Sequence, residues 1–441
     1  MTVYWCEYAW LDDAPVAGVR VTVDGGRITE VQPGAEPVDG DHRLPGLVLP
    51  GFANAHSHAF HRALRGRTHD HGGTFWTWRE AMYAIADRLD PDSYLALARA
   101  AYAEMALAGV TCVGEFHYLH HGPGGRPYDD PNAMSAALVQ AAGDAGVRLT
   151  LLDACYLSGG LAADGHQPLD PVQVRFADAD ADSWAARAQA LPLRAGVRLG
   201  AAVHSVRAVH ADHLSAVAEA AGDGPLHVHL SEQPAENAAC QSFYGLSPTA
   251  LLADRGVLGP GTTAVHATHL SDHDIDLLSG SATAICACPS TEADLADGIG
   301  PFRALADAGS PLCVGTDQHA HTDPLSEARA VESYERLASG VRGRFAPAEL
   351  VDMLTAQGHR SLGWGDAGQI AAGQRADLVS VRLDSPRMAG SAPAQAVLAA
   401  SAADVHTVIV DGRVVVADSQ HLLGNVGQML VEAIEPLWGR R

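Results

Sequence analysis

Lysine is absent: among the 441 residues all 29 basic side chains are arginine. That excludes Schiff-base and pyridoxal-phosphate enzymes, P-loop nucleotidases and any metal centre bridged by a modified lysine. Basic charge is scarce overall, because 52 acidic residues leave a net charge of −23. Such a surface repels phosphate backbones and anionic lipid, so neither nucleic acid nor membrane is expected as a partner. The seven cysteines (Cys6, Cys112, Cys155, Cys240, Cys286, Cys288 and Cys313) include no C-x-x-C pair, which argues against a zinc knuckle or a disulfide framework. They are expected to be reduced and mostly buried. No apolar run reaches about 18 residues, and residues 1–7 carry neither a basic nor an apolar leader region, so a cytoplasmic protein is expected.

What is present is a chain of 47% hydrophobic and 18% charged residues, enough for one large domain and an accessory module. From Gly51 onward short apolar runs alternate with helical stretches, as in repeated β-α units. Eight runs read as strands: Gly51 to His56, Val110 to Phe116, Val147 to Asp153, Val197 to His204, Pro225 to Leu230, Thr263 to Ala267, Thr283 to Cys288 and Pro311 to Thr316. Between the first two, Asp90 as N-cap, Pro91 at the first helical position and Gly109 as a stop frame a helix. The expected fold is an α/β (β/α)₈ TIM-type barrel over residues 49–365, with its active site at the carboxyl ends of the strands. An open doubly wound sheet is the alternative, but the first strand lacks a Gly-rich phosphate turn. Residues 1–48 and 366–441 hold β-rich runs, including a hairpin turned by Asp411-Gly412, and are expected to form one composite β-sandwich from both chain ends.

The chemistry concentrates where strands should end. In an extended segment residues i and i+2 face one side, so His56 and His58 of His56-Ser57-His58 can share a metal. His227-Val228-His229 with Glu232 follows at the fifth strand, His266 at the sixth and Asp317 at the eighth. His227 lies one pleat deeper than His229 and is expected to be buried and hydrogen-bonded, not a ligand. Metal-type residues recurring at separate strand ends point to one shared centre.

This arrangement resembles the amidohydrolase superfamily, whose ligands come from a first-strand H-x-H, a fifth-strand His and an eighth-strand Asp, with a sixth-strand His nearby. Its two-metal members use a carboxylated lysine, which this chain cannot supply. The resemblance therefore implies a single zinc held by His56, His58, His229 and Asp317 with one position open for water; the donor set does not separate zinc from iron or manganese. The runs Asn54 to Phe60, Phe75 to Glu80, Gly114 to Tyr118, His204 to Val209, Val265 to His269 and Ser290 to Asp294 further resemble the N-formimidoyl-L-glutamate deiminase family. That resemblance implies hydrolysis of the formimino group to N-formyl-L-glutamate and ammonia in histidine degradation. It departs at His61, where the family often has Gln.

A substrate with two carboxylates needs fixed positive charge inside so acidic a protein, and Arg79 and Arg207 are the candidates. Tyr118, His204 and His61 are expected beside them as substrate contacts. In the implied mechanism Asp317 orients and deprotonates the attacking water, Glu232 relays a proton to the departing nitrogen and His266 stabilises the tetrahedral intermediate. A purine or related heterocycle deaminase and a non-catalytic barrel remain the competing readings, the latter predicting no bound metal. A homodimer is expected.

Overall fold

The computed structural model describes residues 1–69 and 73–439. All eight expected strands are there, as Phe52–Ser57, Val110–His117, Arg148–Cys155, Val197–Val203, Leu226–Leu230, Thr262–His266, Ala284–Ala287 and Leu312–Val314. Each pairs in parallel with the next. A parallel bridge from Ser57 to Asp317 joins the last to the first, so the sheet closes into a (β/α)₈ barrel. The second and third strands are buried at every position, one face packing inside the barrel and the other under helices, although they carry ionisable residues such as Glu115 and Asp153 among the apolar ones.

The helix Pro91–Leu107 starts as its sequence dictates, with the Asp90 side chain accepting from Ser93 N at 2.8 Å, and Gly109 at φ 95° turns the chain into the second strand. Closure of the barrel depends on Gly315. A Cβ there would lie 2.7–2.9 Å from the backbone and Cβ of His56, so only glycine lets the eighth strand approach the first this closely. All seven cysteines are free and buried.

Both chain ends build the accessory module. Thr2–Leu11, Ala14–Asp24, Arg27–Pro33 and His42–Pro50 join Leu378–Val381, Val405–Val410, Arg413–Ala417 and Gln420–His421 in one continuous mixed sheet, not two separate ones. The sheet rolls over on itself: Ala376 N donates to Gly26 O at 2.9 Å and Gly412 N to Ala376 O at 2.9 Å, drawing its two hairpin turns together. Cys6, Val19, Val21, Ile28, Leu44, Leu378 and Ile409 fill the small core this encloses. The Asp411-Gly412 turn has both residues at positive φ, 46° and 75°, matching the twist of the strands it joins.

The β-rich flank is not all strand: Ala396–Ala399 and Val426–Trp438 are helical. Val426–Trp438 buries Val426, Leu430, Ile434 and Leu437 at helical spacing. It lies against Pro91–Leu107, and Trp438 Nε1 donates to Ala63 O at 2.9 Å, so the end of the chain returns to the barrel. No helix among the described residues is long and apolar enough to cross a membrane.

Candidate active site

The carboxyl ends of the strands carry an unusual backbone. Ser231, His266, Ala267 and Asp317 all have positive φ, between 43° and 69°, a region that non-glycine residues enter at a cost of order 1–3 kcal/mol each. These turns aim side chains from the fifth, sixth and eighth strands into the barrel mouth. Asp317 N donates to His56 O at 3.0 Å and His58 N to Asp317 O at 3.1 Å, which locks the two ligand-bearing segments together. Glu115, buried on the second strand, accepts from Ser57 Oγ at 2.8 Å and Ala59 N at 2.7 Å and so holds the H-x-H segment from behind.

His56, His58, His229 and Asp317 converge, one donor atom of each lying within 4.8 Å of the others. Asp317 Oδ1 is 3.4 Å from His56 Nε2 and 3.3 Å from His58 Nε2. His58 Nδ1 sits 2.8 Å from Phe116 O and His229 Nδ1 2.8 Å from His204 O. Only a protonated Nδ1 satisfies a carbonyl, so both rings present an Nε2 lone pair inward, the usual orientation of metal-binding histidine. His56 Nε2 and His229 Nε2 face each other at 3.2 Å. Two buried lone pairs at that distance repel unless a proton or a cation lies between them, and three imidazoles with one carboxylate are a donor set suited to zinc. The residues fit a divalent cation.

Environment sorts the histidines by charge. Burial pushes His56 down to about 3 and His229 well below the ordinary imidazole value, keeping both neutral as ligands must be. His266 goes the other way: burial opposes its charge, but Glu232, Glu292 and Asp317 outweigh burial and raise it to about 10. Its Nε2 is 3.7 Å from both Glu232 Oε1 and Asp317 Oδ2, and its Nδ1 is 3.4 Å from Glu292 Oε1. A cationic imidazole is thus held beside the cluster.

Arg79, Tyr118, His204, Arg207, His61, Glu232, His266, Asp317, His58 and His229 all line one cavity of about 230 Å³, and His56 lies directly behind. The helix Phe75–Ala86, capped by Thr74, carries Arg79 over it; the guanidinium lies 4.6 Å from the Trp76 ring centre and 5.4 Å from that of Tyr83. It has no ion-pair partner among the described residues. Arg207 follows the fourth strand, with Nε 3.4 Å from Glu236 and Nη2 3.7 Å from Glu232. His61 Nε2 is 2.9 Å from Tyr118 Oη. His227, as expected, is buried away from the cluster, 3.0 Å from Ser361 O.

Several participants escape the sequence reading. Glu292 accepts from Cys288 N at 2.9 Å while facing His266, and Glu236 backs Arg207 from a fully buried position where burial raises its pKa to about 7. The signal available for Glu115 was an ionisable residue inside an apolar strand. For Glu292 and Glu236 it was only their proximity to other motifs.

The chain matches the amidohydrolase family over residues 47–415. It is 36% identical to the formimidoylglutamate deiminase of Pseudomonas aeruginosa, with 96% of each chain covered. It is 32% identical to the 8-oxoguanine deaminase of the same organism, over 89% of this chain and 88% of that one. A crystal structure of an amidohydrolase from Brucella melitensis superposes with a TM-score of 0.91 at 30% identity and full coverage of both chains.

Proposed function

The chain belongs to the amidohydrolase family, and from that premise we propose that it is an N-formimidoyl-L-glutamate deiminase, releasing ammonia and N-formyl-L-glutamate. The observation that supports the substrate assignment is Arg79, a guanidinium lying against the Trp76 and Tyr83 rings at the cavity wall with no carboxylate partner among the described residues. With Arg207, which lines the same cavity, it would offer a dicarboxylate two cationic anchors.

His56, His58, His229 and Asp317 would hold one divalent cation, which supplies the Lewis acidity that makes water nucleophilic near neutral pH. Asp317 Oδ2, facing His266 and not the other histidines, is placed to take the proton of the attacking water. Glu232, with Oε1 toward His266 and Oε2 toward Arg207, moves a proton to the departing nitrogen. His266, held protonated by its three carboxylates, stabilises negative charge developing at the attacked carbon's substituents. Tyr118 and His204 complete the wall, with His61 orienting the Tyr118 hydroxyl.

One observation favours a second reading. Phe75, Trp76, Trp78, Tyr118, Tyr156 and Phe176 surround the cavity, and such ring faces would also stack on a flat heterocycle. Ammonia release from N-formimidoyl-L-glutamate by protein of confirmed zinc content tests the first reading. Zinc-loaded protein inactive on that compound would remove the substrate assignment and leave the family untouched.

A further inference from the structure

A second group of donors adjoins the first. His266, Cys288 and Asp317 each offer an atom within 4.8 Å of the other two, and all three residues are buried. Asp317 divides its carboxylate between the groups: Oδ1 faces His56 and His58 at 3.4 and 3.3 Å, and Oδ2 faces His266 Nε2 at 3.7 Å. A separation of that size is what ligands at about 2.0–2.3 Å from one cation have across a tetrahedral site. Glu292, 3.4 Å from His266 Nδ1, fixes the ring with Nε2 as the outward donor, the carboxylate–histidine arrangement that supports metal ligands.

The surrounding charge favours a cation. Glu232 also approaches His266 Nε2, and burial with Glu232 nearby raises Asp297 to about 9, a sign of crowded negative charge. A third buried group, His117, His120 and Asp153, makes the contrast. There Arg187 donates to both oxygens of Asp153 at 2.9 and 3.0 Å and Trp184 Nε1 adds a third bond at 2.9 Å, so the carboxylate is already neutralised. No arginine engages Asp317 among the described residues.

We propose that His266, Cys288 and Asp317 form a second, thiophilic metal site beside the first, through which an excess of a soft divalent cation inhibits the enzyme. The sulfur selects cadmium or surplus zinc over magnesium, calcium or manganese. On binding, the Cys288 thiol and the protonated His266 ring each release a proton to solvent as the sulfur–metal and nitrogen–metal bonds form, with no change of oxidation state. The second cation takes His266 and Asp317 out of proton and charge management while the first centre stays filled. Without lysine the chain has no carboxylated-lysine bridge, and the bridge through Asp317 is a blocked state.

The test does not depend on which substrate is correct. Protein reloaded with one equivalent of zinc is titrated with cobalt(II) and with cadmium. The expected results are a second equivalent bound per chain and a thiolate-to-cobalt charge-transfer band, both missing in Cys288→Ala. In rate assays normalised to each protein's uninhibited rate, Cys288→Ala raises the half-inhibiting cadmium concentration by about ten-fold or more, with Cys288→Ser in between. Binding that stops at one cation per chain in the unsubstituted protein, no thiolate band, or equal cadmium sensitivity of the variants would overturn the proposal.

Discussion

The two ends of the barrel handle buried charge in opposite ways. At the amino-terminal end, Arg148 donates to both oxygens of Asp377, one at 2.9 Å, and reaches Asp411 at 3.3 Å, tying the third barrel strand to the terminal sheet. Burial works against the Asp377 carboxylate, but Arg148 holds its pKa below the ordinary value. At the carboxyl-terminal end, Asp317 is also buried, and among the described residues its ion-pair partners are all imidazoles. At the first end the buried carboxylate is answered by an arginine; at the second, Asp317 has no arginine and Arg79 no carboxylate among the described residues, although Arg207 is paired with Glu232 and Glu236. Stability is built at the first end and reactivity is reserved at the second.

The sharpest way to break this comparison is Asp317→Asn. It should lower kcat/KM by about 10⁴-fold or more, yet leave the melting temperature of chelator-treated protein unchanged or raised, as ammonia release and a thermal scan would report. At the other end, Arg148→Met leaves Asp377 buried without its partner and should cost about 3–5 kcal/mol of stability in denaturant titration, with the rate per folded molecule retained.

Next in size is a pH effect at the same end. His359 is buried with Nε2 3.0 Å from Gly51 O, and burial lowers it to about 4. Its folded pKa lies below the unfolded value of about 6.5, so the unfolded chain takes up the proton first as pH falls. The stability it contributes is full above about 6.5 and is lost toward pH 4, a change of roughly 3 kcal/mol. His359→Gln keeps a donor for Gly51 O and should flatten that part of the stability profile. The smallest effect belongs to the mouth: Arg207→Met should raise KM for a dicarboxylate by roughly 10- to 100-fold, the worth of a charge-assisted hydrogen bond, with a lesser change in kcat.

How far each end was legible follows from the range of the forces involved. All eight barrel strands appear within a few residues of their expected limits, because a parallel strand buried on both faces is a local apolar run. His56, His58, His229 and Asp317 converge because each lies at or just past the carboxyl end of a strand, and strand ends share one rim. The Val426–Trp438 helix was legible in principle from its 426, 430, 434, 437 spacing, but the β-rich hairpins before it masked the change of period. The contacts from Arg148 to Asp377 and from Glu292 to His266 join residues 229 and 26 positions apart, and no local pattern encodes such partners. The same holds for the approach of Cys288 to within 4.8 Å of His266 and Asp317, which needs the closed barrel to exist.

Paired values of kcat/KM for N-formimidoyl-L-glutamate and 8-oxoguanine on one zinc-loaded preparation test the central claim most directly. Two arginines and a cation at the mouth predict a strong preference for the dicarboxylate, diminished in Arg79→Met and Arg207→Met. Faster turnover of the heterocycle, indifferent to both substitutions, would contradict the account.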